Sequence, residues 1–385
     1  MKILAIESSC DETAAAVVED GTKILGMAVA TSATMHEKYG GIVPEVAARE
    51  QLKCIIPVIK EALTISHNNS SSHDNKKNSS IIRIIELFDD IDAIAVTVGP
   101  GLIGSLLVGV ETAKTIAYKT GKPIIPVNHV LAHMYANFLE SSPKNSPRVL
   151  SANPERSRRE VEGSRDNIKK IEFPAISLVV SGGHTELFLM TNEKELKWLG
   201  GTLDDAAGEA FDKTARLLGF GSKGGVAIQD AAQKVKSQKA KGKIFLPRPL
   251  MRDETLNFSF SGLKTAISRV WKSYPQHTES LVNALAYEVQ ESITDVLVAK
   301  TLRAAKLYSA RSILISGGVA ANLRLRDKFQ STMNDERLTM RFFVPPVSLC
   351  TDNAAYIAAY AFFRGKPVDW HEITAVPDLS VETVE

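Results

Sequence analysis

The chain has 385 residues, 44% hydrophobic and 23% charged. That is the balance of an ordinary folded protein and excludes a disordered, collagen-like or coiled-coil chain. Lys and Arg number 46 against 44 Asp and Glu, a net charge of +2, so any nucleic-acid footprint has to be local. At ~150 residues per domain the length predicts two domains or one large core. Cys10, Cys54 and Cys350 are too few and too scattered for a disulfide framework and point to a reducing cytoplasm.

Residues 2–7 (KILAIE) read as a buried strand, too short and too soon interrupted by Glu7 for a signal peptide. Ala14–Glu19 and Ile24–Ala30, split by Asp20-Gly21, continue it as a meander. Residues 66–80 (SHNNSSSHDNKKNSS) hold no apolar residue and are expected as a flexible insertion. The uncharged stretch 93–110 is broken by Gly99-Pro100-Gly101, which predicts a strand over 92–98, a turn and a helix over 104–118, not a membrane span. Its G-x-G-x-x-G lacks the acid about 20 residues on that holds a ribose, because the next strand, 124–127, ends in Asn128-His129. Residues 141–170, with SPKNSP and RSRREVEGSRD, form a second expected insertion. Pro174–Ser181, the turn Gly182-Gly183 and Thr185–Met190 make a second hairpin; a long helix is expected over 281–302. Ser312–Ser316 is a strand, Gly317-Gly318 a turn, and helices follow from Asn322 and over 353–363. The hairpin near the start and the one past the middle echo each other. Each opens an α/β half, and two such halves facing one another define a nucleotide cleft lined by tight turns.

Several residue sets could carry chemistry. His129 and His133 stand at i and i+4, one face of a helix, where two imidazoles share an ion. A zinc protease needs Glu directly after the first His, and Val130 stands there. Asp352 is read either as the third ligand or as the N-cap of the last helix; a set of two histidines and one carboxylate suits zinc or ferrous iron. The SGG turns at 181–183 and 316–318 allow close backbone approach to a ligand. Asp11-Glu12 is an acid pair in the first hairpin turn, and residues 204–213 (DDAAGEAFDK) carry acids on one helical face. No basic run marks an RNA path; Lys264 and the arginines Arg156, Arg158 and Arg159 of the second insertion are the candidate phosphate contacts.

Taken in order, ESSCDET at 7–13, the 129/133 pair, VVSGGHT at 179–185, DDAAGEAFDKTA at 204–215, FSFSGLKTA at 258–266, SGGVAAN at 316–322 and CTDNAA at 350–355 closely resemble the tRNA N6-adenosine threonylcarbamoyltransferase family, formerly labelled a glycoprotein endopeptidase. The resemblance spans the chain apart from the two insertions and about the last 20 residues. It implies an α/β, two-lobed actin/hexokinase/heat-shock-type ATPase-like fold, with residues 1–128 plus 353–385 as one lobe and 129–352 as the other. It implies transfer of threonylcarbamoyl from threonylcarbamoyl-AMP to N6 of the adenosine 3′ of the anticodon, with release of AMP. It assigns His129, His133 and Asp352 to one divalent ion, Fe2+ in preference to Zn2+. Val179, Val180, Ser181, Gly182, Gly183, Asp212, Gly225 and Asn322 would bind the adenylate or another adenine nucleotide; Asp11 and Glu12 would assist proton loss. The implied partners are tRNA, a paralogous same-fold subunit, a small P-loop ATPase and an upstream synthase of the adenylate, all without a membrane. Val226 and Gln229 stand where the family usually has Pro and often Asp, and Asn128 and Ala132 where it often has His and Glu. The competing readings are a metal-dependent glycoprotein endopeptidase, a non-catalytic nucleotide-binding scaffold, and a small-molecule kinase or carbamoyltransferase of the same fold.

Overall fold

The computed structural model describes residues 1–36, 39–70, 86–140, 148–149, 170–221, 224–235 and 244–382. They fall into two compact units, one within Met1–Lys169 and Pro345–Thr383, the other within Lys170–Val344.

In the first unit β1 (Lys2–Glu7), β2 (Glu12–Glu19) and β3 (Lys23–Thr31) form an antiparallel meander. Nearly every residue of β1 and β2 is buried, which is why both strands read as continuous apolar runs. The short α1 (Ala33–His36) leads to α2 (Pro44–Ser70). Helix α2 continues through residues 66–70, where the polar composition predicts a loop. Its last turn is held because Asn69 Nδ2 donates to the Leu25 carbonyl at 2.8 Å. Gly26 lets strand and helix touch, since a Cβ there would lie 2.2 Å from the Ala62 carbonyl oxygen. The rest of that expected insertion, and all of 141–170 except residues 148–149 and 170, lies outside the described residues. Strand β4 (Ala93–Gly99), α3 (Ile103–Thr120), β5 (Ile124–Asn128), α4 (His129–His133) and β6 (Arg148–Val149) follow. The sheet order is β5-β4-β1-β2-β3-β6, with β4 parallel to β1 and β5 parallel to β4. Its core lies between the sheet and α2 and α3.

The second unit repeats this plan. Strands β7 (Ala175–Val180), β8 (Thr185–Met190) and β9 (Leu196–Gly201) are an antiparallel meander. Helices α5 (Ala207–Leu217), α6 (Gly224–Gln233), α7 (Ser261–Ser273) and α8 (Glu279–Leu307) precede β10 (Ser312–Ser316), α9 (Leu323–Asp335) and β11 (Arg341–Phe343). The order β11-β10-β7-β8-β9, with β10 and β11 parallel to β7, matches β5-β4-β1-β2-β3 strand for strand. The echo between the two hairpins is thus an architectural one.

The chain then returns to the first unit as α10 (Val347–Cys350) and α11 (Ala355–Arg364). The units divide at 169/170 and 344/345, where the sequence reading divides lobes at 128/129 and 352/353. The physical reason is packing: α4 and the 3-10 turn Met134–Phe138 lie against α11, with Tyr135 stacked beside Phe363. Asp352 is not an N-cap. Helix α11 begins at Ala355, whose N–H is accepted by Asn353 Oδ1 at 3.0 Å.

Candidate metal and nucleotide sites

The metal-ligand set belongs wholly to the first unit. Asn128 ends β5 and its Oδ1 accepts the N–H groups of Val130 (3.0 Å) and Leu131 (3.2 Å), which turns the chain at once into α4. One helical turn then places the two buried imidazoles 4.7 Å apart, centroid to centroid. Asp352, in the bend between α10 and α11, brings Oδ1 to 3.7 Å from His129 Nε2 and 3.5 Å from His133 Nε2. Donor atoms bound at about 2.1 Å in tetrahedral or octahedral geometry stand about 3.0–3.4 Å apart. The three donors here all lie within 4.8 Å of one another, somewhat wider than that, so they would share one ion after drawing in slightly.

What stands behind His129 supports that fit. Its Nδ1 faces Glu7 Oε2 at 3.0 Å, leaving Nε2 toward Asp352. The carboxylate behind the imidazole fixes the tautomer a metal needs. Glu7 is itself fixed: its Oε1 accepts the Ser9 N–H at 2.6 Å and its Oε2 the Thr97 hydroxyl. Burial pushes the Glu7 carboxyl up, but His129 and these hydrogen bonds outweigh it and hold it below its ordinary value. Burial pushes His129 down, yet Glu7 and Asp352 raise it to about 9. Asp352 is raised to about 6, first by burial. Tyr356, one turn on, donates its hydroxyl to Asp352 Oδ1 at 3.4 Å and lays its ring 4.5 Å from His133. Glu7 and Tyr356 are the two members of this site that sequence reasoning missed. The signals were a lone acid closing an apolar strand and a Tyr four residues after Asp352.

Asp11 and Glu12 sit in the turn into β2. Gln51 of α2 ties that turn down, its Nε2 donating to the carbonyls of Cys10 (2.9 Å) and Glu12 (3.1 Å). Burial, then the Asp11 and Asp352 carboxylates beside it, push Glu12 well above its ordinary value.

The second unit holds a pocket of about 300 Å³. Of the predicted adenylate residues Gly182, Asp212, Gly225 and Asn322 line it; Val179, Val180, Ser181 and Gly183 do not. The two valines are core residues of β7. Glycine makes the pocket possible by letting its walls touch. A Cβ on Gly208 would lie 2.4 Å from the Ser181 carbonyl oxygen, and one on Gly224 2.4 Å from Asp212 Cα. Gly182 and Gly225 have nothing within 4 Å of a Cβ position, so a ligand can reach their backbone. One Asp212 oxygen accepts the Gly224 N–H at 3.1 Å; burial raises this carboxyl, with Arg216 opposing. Asn322 caps α9, its Oδ1 accepting the Leu325 N–H at 3.0 Å and its Nδ2 donating to Gln290 at 3.1 Å. Gln229 also lines the pocket, and its Oε1 accepts the Leu323 N–H at 2.8 Å. It clasps α6 to the start of α9.

Asp204 joins two of the sequence motifs. Its Oδ1 accepts the N–H groups of Phe260 (2.7 Å) and Ser261 (3.1 Å), and its Oδ2 the hydroxyls of Ser259 (2.5 Å) and Ser261 (2.7 Å). These bonds overcome the upward push of burial and hold it at about 2. Its folded value lies below the unfolded one, so the stabilisation is present above about pH 4 and is lost as pH falls toward 2. We therefore expect Asp204→Asn to melt below the wild type at neutral pH. The gap should close between about pH 4 and pH 2, read by thermal melts across that range. A gap independent of pH would show that the carboxylate charge has no part.

Taken together, the molecule is an α/β protein of two units with the same strand order, with a donor set of two histidines and one carboxylate in one unit and a glycine-walled pocket in the other. A sequence model of the tRNA N6-adenosine threonylcarbamoyltransferases matches residues 23–75, 80–153 and 161–359, and the chain belongs to that family. A relative of that name from Syntrophomonas wolfei is 43% identical over 362 residues, covering 94% of this chain and 92% of its own. Another from Listeria welshimeri is 40% identical over 386 residues, covering 99% and 97%. Among solved structures, T. kodakarensis HypF shares the fold at a TM-score of 0.54 and 12% identity, over 94% of this chain and 47% of that one. No helix among the described residues is long and apolar enough to cross a membrane.

Proposed function

We propose that this chain transfers the threonylcarbamoyl group of threonylcarbamoyl-AMP to N6 of the adenosine 3′-adjacent to the anticodon, in tRNAs reading codons that begin with A, and releases AMP. The new bond joins N6 to the carbamoyl carbon, the bond from that carbon to the phosphate oxygen breaks, and the amine proton leaves. The observation that carries this reading is the oriented donor set of His129, His133 and Asp352 in a chain matched to the family over nearly its whole length. The adenylate is already activated, so the protein has to orient the reactants and stabilise charge rather than supply a covalent nucleophile.

Each group has a role on this reading. His129, His133 and Asp352 hold one divalent ion, Fe2+ or Zn2+, which when bound supplies Lewis acidity toward an acyl or phosphate oxygen. Gly182 and Gly225 offer backbone to the adenylate, Asp212 its free carboxylate oxygen to the ribose, and Asn322 holds the wall near the base. Val179, Val180, Ser181 and Gly183 act through the backbone that aims the turn. Glu12, with Asp11 beside it, takes the N6 proton. A synthase of the adenylate acts upstream, in the cytoplasm, where three free thiols are at home. A paralogous same-fold subunit and a small P-loop ATPase complete the set. In support of the subunit, α2 and α3 pack together and leave Leu52, Ile56, Ile103 and Leu107 between 42% and 64% exposed.

Reconstitution tests the reading. Threonylcarbamoyl-AMP, unmodified tRNA and this chain, with and without those partners, should yield the modified nucleoside after digestion, detected by mass spectrometry. Absence of product under every combination would refute it.

A further inference from the structure

FSFSGLKTA is the motif to which the proposed chemistry gives no task, and in the fold it opens α7. Leu263 and Ile267 of that helix are buried and Lys264, Arg269 and Lys272 are exposed. At 100° per residue Lys264, Ser268 and Lys272 form a ridge that drifts about 40° per step, and Arg269 lies about 60° beyond Lys272, so the cations cover about 140° of the helix surface. The ridge is about 12 Å long at 1.5 Å per residue. No acid occurs in α7, and none of the three cations lies within 4 Å of a carboxylate among the described residues. Asp204, at the helix start, is engaged by four hydrogen bonds, and Glu279, the next acid after the helix, by Lys234 at 3.5 Å. At the far end, Trp271 stacks on the exposed His277 ring at 3.7 Å, and Tyr274 is 41% exposed. Three cations with no carboxylate partner among the described residues, followed by a half-buried Trp271, an exposed His277 and an exposed Tyr274, match a polyanion that carries stackable bases. Asp204 anchors the helix start, so the face is held in place rather than assembled on contact.

We propose that this face of α7 binds the phosphate backbone of the tRNA substrate, with Lys264, Arg269 and Lys272 as the contacting cations and the Trp271–His277 stack beside them. The inference rests on tRNA being the substrate, and it names the surface that the near-zero net charge leaves unassigned.

The test compares the wild-type chain with Lys264→Ala/Arg269→Ala/Lys272→Ala and with the charge-keeping Lys264→Arg/Arg269→Lys/Lys272→Arg. Binding of fluorescent unmodified tRNA is titrated at several salt concentrations, after thermal melts confirm that both variants fold. Each phosphate contact contributes about 0.7–0.9 to the slope of log K against log salt. We expect the alanine variant to lose roughly 2–3 units of slope and at least about tenfold in affinity near 0.1 M salt, uniformly across tRNA sequences. The charge-keeping variant should retain the wild-type slope, and threonylcarbamoyl-AMP binding should be unchanged in both. A wild-type slope in the alanine variant, or no binding of tRNA by the wild-type chain, would overturn the proposal. Because product formation is measured separately, a productive enzyme with an unaltered alanine variant sinks the α7 surface alone.

Discussion

His129→Ala and Asp352→Ala should each abolish formation of the modified nucleoside, a loss of at least about 10³-fold. Both should also purify without bound metal. The effect is large because each ligand is one of three, and the remaining pair chelates poorly. His129→Ala further leaves Glu7 buried with its imidazole partner gone. Glu7→Gln is the graded version. It keeps the shape behind His129 but removes the charge that orients the ring, so metal affinity should fall about 10–100-fold while the fold persists. Metal content by elemental mass spectrometry and Zn2+ titration by calorimetry read these effects independently of turnover. Full product from a His129→Ala protein shown to be metal-free would sink the assigned role of the triad.

Gly317→Ala should disable the glycine-walled pocket and lower Tm together. Gly317 has φ +87°, in the region that L side chains avoid, and an added Cβ would lie 2.4 Å from the Val180 carbonyl oxygen. Both neighbours are backbone, the end of β7 and the turn that leads into the Gly318–Ala321 wall, so neither yields cheaply. Left-handed strain and overpacking add to about 3 kcal/mol, or roughly 6–12 °C in Tm for a unit of this size. Gly318→Ala is the control, since nothing lies within 4 Å of its Cβ position, and its Tm should match the wild type. Calorimetry with and without threonylcarbamoyl-AMP separates the two effects. Equal Tm and ligand affinity in Gly317→Ala would show that the turn relaxes at no cost.

Much of this was legible in one sequence because the relevant signals are local. A hairpin is two apolar runs about a turn, and the predicted ranges for β8 and β10 coincide with the observed strands. The i, i+4 spacing of His129 and His133 is a property of one helical turn. What failed was non-local. The polar tail of α2 stays helical through Asn69 and a strand 44 residues away, which no local composition encodes. The neighbours of Asp352 leave it open between a third ligand and a helix cap, because they do not show that its carboxylate is aimed at α4.

By itself the sequence determined the alternation of strand and helix, the repeat of the hairpin, the family, and the two histidines on one turn. Each follows from residues close together in the chain. Only the tertiary structure decided that Glu7 backs His129, that Gln229 clasps α6 to α9, and where the units divide. Those outcomes depend on distances between residues tens to hundreds of positions apart, which packing sets and composition does not.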